Sequence, residues 1–170
     1  MVHMNGDNII QALGLEAHPE GGFYRETWRC QDRAAAPRLG DRCFGTSIYF
    51  LLRAGDVSRF HRLASDEIWH FHQGDPITVA MLTQDDGLKL HLVGGMDGGM
   101  ARPQLVIPKN TWFGAVIEGP SAFGYTLVGC TVSPGFDFRD FELARPEDIW
   151  SVVSHRPMDQ TTQQWIERLT

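Results

Sequence analysis

Cysteine, long apolar runs and excess positive charge are all scarce in this chain, and each absence excludes a class of protein. There are three cysteines among 170 residues, and their odd number and wide spacing fit neither a disulfide framework nor a paired zinc knuckle. The longest uninterrupted apolar run, residues 48–52, has five positions, whereas a membrane-spanning helix needs about 20. No charged-then-apolar leader is visible, so we expect a soluble protein of the reducing cytoplasm.

The charge balance argues against polyanionic partners. Fifteen Lys and Arg residues against 21 Asp and Glu residues give a net charge of −6, and no basic cluster rises above this background. Such a balance disfavours contact with nucleic-acid phosphates or anionic lipid. A small anionic ligand held by a few local cations or backbone amides remains compatible with this composition.

Short runs rich in Ile, Val, Thr and aromatic residues dominate the middle of the chain and predict β-strands. Turn residues such as Gly, Pro and Asp separate them. About eight strands at this spacing predict an antiparallel sandwich or barrel: 23–30, 45–52, 66–72, 77–82, 88–93, 103–108, 112–117 and 123–129. The segment 31–42 is predicted to be a mobile loop.

Helical patterns are confined to the two ends of the chain. A short amphipathic helix is predicted over 5–15, and short helices are predicted from Pro146 and over 160–168. The length fits one domain, since single domains usually have about 100–200 residues. We therefore predict a single domain over 1–170, with the barrel core at about 20–142.

The segment 59–75 contains the densest polar cluster, with His61, Glu67, His70 and His72. Imidazoles and a carboxylate at this density are typical of a metal site or of general acid–base chemistry. Alternate side chains of a strand point to opposite faces, which separates Glu67 from His70 and His72. The four groups therefore cannot all converge on one ion.

The same segment resembles the first conserved motif of the cupin superfamily, Gly-x5-His-x-His-x3-Glu-x6-Gly. The matching positions are Gly55, His61, Glu67 and Gly74, and Leu63 stands where the second metal histidine belongs. The second motif of the superfamily aligns at 108–113, where Phe113 replaces the third metal histidine.

Four motifs in chain order are similar to the cupin family still labelled a domain of unknown function. They are HPEGGFYRE, SDEIWHFHQGDP, IPKNTWFGA and CTVSPGFDF, and the resemblance covers roughly residues 8–148. It implies an all-β double-stranded β-helix, the cupin jelly-roll barrel, with a pocket in the barrel mouth and usually a homodimer. It does not imply one activity, because a fold of this kind hosts many chemistries.

The resemblance leaves two of the four usual metal ligands, His61 and Glu67. Catalytic zinc or iron sites usually keep three protein ligands, so we expect no metal and no other cofactor. His61 and Glu67 are instead predicted to be catalytic residues that transfer protons inside the barrel. Two alternatives stay open: a hydrogen-bonded polar plug in a binding pocket, and a metal-dependent oxygenase or isomerase with an incomplete site.

The stretch GGFYRE at 21–26 is similar to the Arg-Gly-x-Phe-x-Glu stretch of the dTDP-4-dehydrorhamnose 3,5-epimerase family, a metal-free cupin family. Gly21 replaces the arginine, while Tyr24 and Glu26 match the aromatic residue and the carboxylate. The resemblance implies a small-molecule ligand that is a nucleotide or nucleotide sugar. Its base would stack on Tyr24, and an N–H group of the base would donate a hydrogen bond to Glu26. His61 would then correspond to the histidine that removes the proton.

Six further residues are candidate ligand contacts, each with a structural alternative: Arg59, Trp69, Phe71, Trp112, Phe113 and Asp137. The arginine could bind a phosphate or be solvated on the surface. The aromatic side chains could stack on a ligand or belong to the core, and the aspartate could close the pocket or fix a turn. The sequence therefore predicts a metabolite-binding cupin with isomerase or epimerase activity, and a non-catalytic binding module is the competing interpretation.

Overall fold

The computed structural model describes residues 5–96, 99–155 and 157–170. Three α-helices lie at the ends of this described chain: α1 Gly6–Leu13, α2 Pro146–Val153 and α3 Gln160–Leu169. The described strands are, in chain order, β1 Glu16–Ala17, β2 Phe23–Arg29, β3 Arg33–Ala36, β4 Gly40–Cys43, β5 Thr46–Arg53, β6 Val57–Arg62, β7 Asp66–Gly74, β8 Ile77–Thr83, β9 Gly87–Val93, β10 Gln104–Ile107, β11 Trp112–Val116, β12 Tyr125–Ser133 and β13 Glu142–Leu143.

Two antiparallel sheets form the body of the molecule. One has the strand order β1-β2-β5-β12-β7-β10 and the other β13-β6-β11-β8-β9. Buried side chains from both sheets pack together between them, among them Phe50, Trp69, Val79 and Phe113. The result is the double-stranded β-helix, or jelly-roll barrel, that the sequence resemblance implies.

All eight predicted strands are present, as β2, β5 and β7 to β12. The prediction that 31–42 is a loop is wrong, because β3 and β4 pair there as a hairpin in which Ala34 lies opposite Arg42. Its alanine-rich sequence gives little strand signal. Arg38, between the two strands, and Gly40, the first residue of β4, adopt positive φ angles of 68° and 72°, and this backbone conformation suits a tight turn.

The helices cover the outer faces of the barrel. Asn5 caps α1 by accepting a hydrogen bond from the N3 backbone amide, and Gly14 ends the helix in the left-handed conformation. The α1 side chain Ile9 is buried against the six-stranded sheet, while Ile149 and Ile166 bury α2 and α3 against the five-stranded sheet. Among the described residues, no helix is long and apolar enough to cross a membrane.

Candidate functional site

A cavity of about 390 Å³ opens into the barrel between the two sheets. This volume is within the usual range for small-molecule sites, about 300–1,000 Å³. Ionisable side chains from three parts of the chain line it: His18, Glu20, His61 and Glu67. We call these four residues the acid–base cluster.

A tight turn between β1 and β2 carries His18 and Glu20 to the cavity. Gly21 and Gly22 have φ angles of 112° and 71° in this turn. A Cβ atom on Gly21 would overlap the carbonyl oxygen of Val57, and one on Gly22 would lie 2.8 Å from that of Leu51. The two glycines therefore let the turn approach the sheet closely enough for Glu20 to reach the barrel interior.

Arg59 fixes this turn from the neighbouring strand β6. Its backbone N–H donates to the carbonyl of Glu20 at 2.9 Å, and its guanidinium donates to the carbonyl of Pro19 at 2.6 Å. Arg59 therefore positions the acid–base cluster, and it is absent from the cavity wall.

A β-bulge in β6 turns Ser58 and His61 toward the same carboxylate. Along β11, Phe113 lies opposite His61 and Ala115 lies opposite Ser58, so β6 contains one extra residue between the paired positions. Such a bulge changes the direction of the side chains that follow it. Gly114 lies opposite, where a Cβ atom would be 2.7 Å from the carbonyl oxygen of Ser58.

Glu20 is the centre of a buried hydrogen-bond network. Its Oε1 accepts a hydrogen bond from the Ser58 hydroxyl at 2.7 Å. Its Oε2 lies 3.0 Å from Nε2 of His61 and 3.2 Å from Nδ1 of His18. The Nδ1 atom of His61 lies 2.7 Å from the carbonyl oxygen of Arg59, so both ring nitrogens of His61 have oxygen partners.

The pKa values of Glu20 and His61 move in opposite directions. Burial alone would raise the pKa of Glu20, but the charge of His61 and hydrogen bonds with both histidines hold this pKa well below its ordinary value. Burial alone would lower the pKa of His61, but the Glu20 carboxylate and the Arg59 carbonyl raise it above 6.5. Both shifts favour the carboxylate form of Glu20 and the imidazolium form of His61, so the two side chains stabilise each other as an ion pair.

Glu67 has a different environment in the same cavity. Burial raises its pKa to about 7, although His61 acts in the opposite direction, and the nearby Glu20 raises it further. The indole N–H of Trp69 donates to Oε1 of Glu67 at 3.1 Å, and this hydrogen bond and the Cys130 thiol partly oppose the rise of the pKa. Glu67 can therefore give or take a proton close to neutral pH.

His18 completes the cluster with a nitrogen that is available to a ligand. Its ring packs edge-on against Tyr24, with centroids 4.7 Å apart. Its Nδ1 atom accepts a hydrogen bond from the backbone N–H of Glu20 at 3.3 Å and lies 3.2 Å from Oε2 of the same residue, and within the described part of the chain no hydrogen bond to its Nε2 is found. His18 and Glu20 are functional candidates that the sequence reasoning missed, although both lie in the family motif HPEGGFYRE.

Six aromatic rings also line the cavity: Tyr24, Phe50, Trp69, Phe136, Phe138 and Phe141. The last three come from the segment that follows β12. Arg42 holds this segment through a bidentate pair with Asp140, with a shortest distance of 2.8 Å. The cavity therefore combines acid–base groups with apolar ring surfaces.

Six residues predicted as site residues from the sequence line this cavity: Tyr24, Glu26, His61, Glu67, Trp69 and Asp137. Two of them are already paired. Glu26 accepts two hydrogen bonds from Arg29, at 2.9 and 2.6 Å. Asp137 accepts hydrogen bonds from the backbone and guanidinium of Arg139, and these hydrogen bonds lower its pKa, which favours the turn-fixing alternative.

The other four predicted residues are absent from the cavity wall: Arg59, Phe71, Trp112 and Phe113. Trp112 and Phe113 are neighbours on β11 and point to opposite faces. Trp112 belongs to the outer core under the helices, while Phe113 packs behind His61 with ring centroids 4.0 Å apart. Phe71 is partly buried against the barrel core.

The residues at the cupin metal positions do not fit a metal ion. Leu63 and Phe113 are apolar, and both nitrogens of His61 already have oxygen partners. Among the described residues, no group of three or more His, Cys, Asp or Glu side chains is arranged to hold a metal.

A jelly-roll barrel with ionisable groups in its mouth defines the class of protein as a cupin. More closely, the chain belongs to the family described as "Cupin superfamily (DUF985)", which matches residues 7–144. No curated protein is significantly similar to it in sequence.

Proteins of known structure agree with this assignment. A protein from Shewanella oneidensis is 39% identical, with a TM-score of 0.82 over 98% of each chain. A protein from Leishmania major is 31% identical, with a TM-score of 0.85 over 95% of this chain and 98% of that one. A cupin-2 domain protein from Rhodospirillum rubrum is 15% identical, with a TM-score of 0.57 over 92% and 90% of the chains, and shares the fold alone.

Proposed function

We propose that this cupin binds a small carbonyl-bearing sugar, either free or linked to a nucleotide, and isomerises or epimerises it by proton transfer. One observation carries the proposal: Glu67, whose pKa is raised to about 7, shares a cavity with the His61–Glu20 ion pair. A general base is most efficient when its pKa is near the working pH. Two groups with pKa values driven apart in one cavity are typical of acid–base catalysis.

The ionised Glu67 carboxylate is the proposed base. It takes a proton from the carbon next to the carbonyl group, the C–H bond breaks, and its electron pair moves into an enolate. The open nitrogen of His18 stabilises charge on the enolate oxygen directly, while the ring of His61, whose nitrogens both have oxygen partners, acts only through its charge. Protonation of the same carbon from the opposite face, by water or an acid on that side, gives an epimer. If the neighbouring hydroxyl proton moves to the former carbonyl oxygen and Glu67 returns its proton to the former carbonyl carbon, the product is an isomer.

A non-catalytic binding module is the second candidate, and the geometry of His61 favours it. Both ring nitrogens of His61 are held by Arg59 and Glu20, so His61 cannot remove a proton unless Glu20 moves. In this alternative the acid–base cluster only recognises hydroxyl groups of a bound metabolite. The two candidates differ in whether carbon-bound hydrogen exchanges with solvent.

Deuterium exchange tests the proposal. The protein is incubated in D₂O with free ketoses and with nucleotide-linked 4-keto sugars, and deuterium on carbon is measured by mass spectrometry and NMR. We expect exchange with at least one substrate and a loss of about a hundredfold or more in Glu67→Gln, within the usual contribution of a general base. The matched control is Glu118→Gln, whose side chain pairs with Arg168 on the surface.

Binding of a sugar without exchange would contradict the enzymatic activity and favour the binding module. Exchange that Glu67→Gln does not slow would contradict the role of Glu67 as the base. We expect the protein to work in the cytoplasm, where its buried free thiols, Cys43 and Cys130, stay reduced.

A further inference from the structure

The positive charges of the cavity are already neutralised by the protein. Within the described residues, Arg29 is the one Lys or Arg side chain on the cavity wall. Its guanidinium donates two hydrogen bonds to Glu26, a third to the carbonyl of Phe136 at 3.1 Å and a fourth to the Cys43 sulfur. Arg29 therefore has little donor capacity left for a phosphate.

The cationic imidazole of His61 is engaged in the same way. Its Nε2 atom faces the Glu20 carboxylate at 3.0 Å and its Nδ1 atom faces the Arg59 carbonyl at 2.7 Å. Its side chain is 3% exposed, so a ligand phosphate could reach it only by displacing Glu20. Displacement would leave a buried carboxylate without its partner, which is strongly unfavourable.

Carboxylates outnumber cations on the wall. Glu20, Glu26, Glu67 and Asp137 all line the cavity, and Glu67 has no arginine or lysine partner among the contacts of the described chain. A phosphate group in the cavity would face these carboxylates in a partly dry environment, where charge repulsion is poorly screened.

The wall nevertheless suits an uncharged polar molecule. Six aromatic rings offer apolar faces to C–H groups. Glu67 and the open nitrogen of His18 can exchange hydrogen bonds with hydroxyl groups. A volume of about 390 Å³ lies near the lower end of the range for small-molecule sites, as a compact ligand requires.

We infer that the ligand of this cavity is an uncharged, phosphate-free sugar or a similar polyhydroxy carbonyl compound. This inference rests on the proposed function and narrows it, because it selects the free sugar over the nucleotide-linked one. It needs no additional reactant, since the proton transfer takes place between the sugar and the acid–base cluster.

Calorimetry with matched pairs tests the ligand class. Free ketoses such as D-fructose and D-tagatose are compared with their 6-phosphates and with a nucleotide-linked 4-keto sugar. We expect a free ketose to bind about a hundredfold more tightly than its phosphate, since an unpaired buried charge costs several kcal/mol and each 1.4 kcal/mol is tenfold. An equal or tighter Kd for the phosphate or the nucleotide-linked sugar overturns the inference.

A second arm uses the Arg29 pair directly. Glu26→Gln releases the guanidinium of Arg29 at the cavity, so the ketose phosphates should gain about tenfold in affinity relative to the free ketoses. Glu118→Gln releases Arg168 outside the cavity and should give no such gain. If the affinity of the phosphates relative to the free ketoses were the same in both variants, the neutralisation of Arg29 by Glu26 would be contradicted.

The exchange experiment separates this inference from the proposed function. Deuterium exchange with nucleotide-linked sugars alone overturns the inference and leaves the proposed function standing. Tight binding of free ketoses without exchange supports the inferred ligand class and contradicts the proposed enzymatic activity. Absence of binding by every sugar, free or phosphorylated, overturns both.

Discussion

Removing the charge of Glu20 is the most direct test of the buried network. Glu20→Gln keeps the size of the side chain and an oxygen for the Ser58 hydroxyl, but it removes the partner of the His61 imidazolium. Two unit charges 3.0 Å apart, the separation found here, attract by about 5 kcal/mol at an effective dielectric constant of about 20. Breaking a buried pair of this kind usually costs about 3–5 kcal/mol, and we expect a loss near 3 kcal/mol because His61 can deprotonate.

The pH at which this loss is measured follows from the two pKa shifts. The pKa of His61 is raised above its ordinary 6.5, so its contribution to stability is complete below pH 6.5 and is lost as the pH rises through the raised pKa. The pKa of Glu20 is lowered below its ordinary 4.5, so its contribution is complete above pH 4.5 and is lost as the pH falls through the lowered pKa. The pair therefore stabilises the folded protein most between pH 4.5 and pH 6.5.

Urea unfolding at pH 5.5 measures the free energy of unfolding, and NMR titration reports the pKa of His61. The matched control is Glu26→Gln, which breaks an ion pair whose carboxylate side chain is 37% exposed and should cost less than about 1 kcal/mol. In Glu20→Gln the pKa of His61 should fall, because burial lowers this pKa and the carboxylate that raises it has been removed. A loss of stability no larger than that of Glu26→Gln, or an unchanged His61 pKa, would refute the reasoning.

Three further predictions concern metal, assembly and ligand binding. Elemental analysis of the purified protein should give less than one equivalent of zinc, iron, manganese or nickel, because Leu63 and Phe113 occupy two ligand positions of the cupin motif; stoichiometric metal that His61→Ala removes would contradict this. Sedimentation should show a homodimer, as the family resemblance implies and as the exposed Leu90 and Leu92 of the edge strand β9 favour; a 19.1 kDa species alone at micromolar concentrations would contradict it. Tyr24→Ala should raise the Kd of a bound sugar or nucleotide about tenfold, since stacking on a ring is worth about 1–3 kcal/mol, and an unchanged Kd would remove Tyr24 from the ligand contacts.

Strand periodicity predicted much of the barrel and part of the site. The alternation in β7 correctly separated Glu67 from His70 and His72, since Glu67 lines the cavity while His70 contacts Gln104 outside it. The strand β6 was not predicted, because its sequence VSRFHR mixes charged and apolar residues without a clean period of two. Its bulge could not be predicted either, because a bulge depends on pairing with β11.

The residues at the centre of the site were not predicted, for a different reason. Glu20 and His18 lie in a turn, where no periodicity shows which way a side chain points. The sequence feature that could have pointed to this turn is the Gly21-Gly22 pair, since adjacent glycines indicate a backbone that comes close to another strand. Glu20 reaches His61 across 41 positions of the sequence, and such a contact depends on the closed barrel and not on local pattern.

Glu67 should make the folded protein less stable as the pH rises, which is the opposite of what a paired carboxylate does. Its pKa is raised from 4.5 to about 7 in the folded state. Between these values the unfolded chain has lost the proton and the folded chain keeps it, so stability falls as the pH rises from 4.5 to about 7 and then levels off. A difference of 2.5 pKa units corresponds to about 3 kcal/mol.

Replacing Glu67 by Gln removes this penalty while the amide oxygen still accepts the hydrogen bond from Trp69. We expect Glu67→Gln to be about 1–3 kcal/mol more stable than the wild type at pH 8 and nearly equal to it at pH 5, measured by urea unfolding at both values. The control Glu118→Gln, on the surface, should change stability by less than about 0.5 kcal/mol at either pH. A gain that is the same at pH 5 and pH 8 would come from packing or hydrogen bonding and would refute a carboxyl group titrating near neutrality. A gain confined to high pH would mean that the fold keeps a destabilising acid in its cavity, which is expected of a group retained for proton transfer and not for stability.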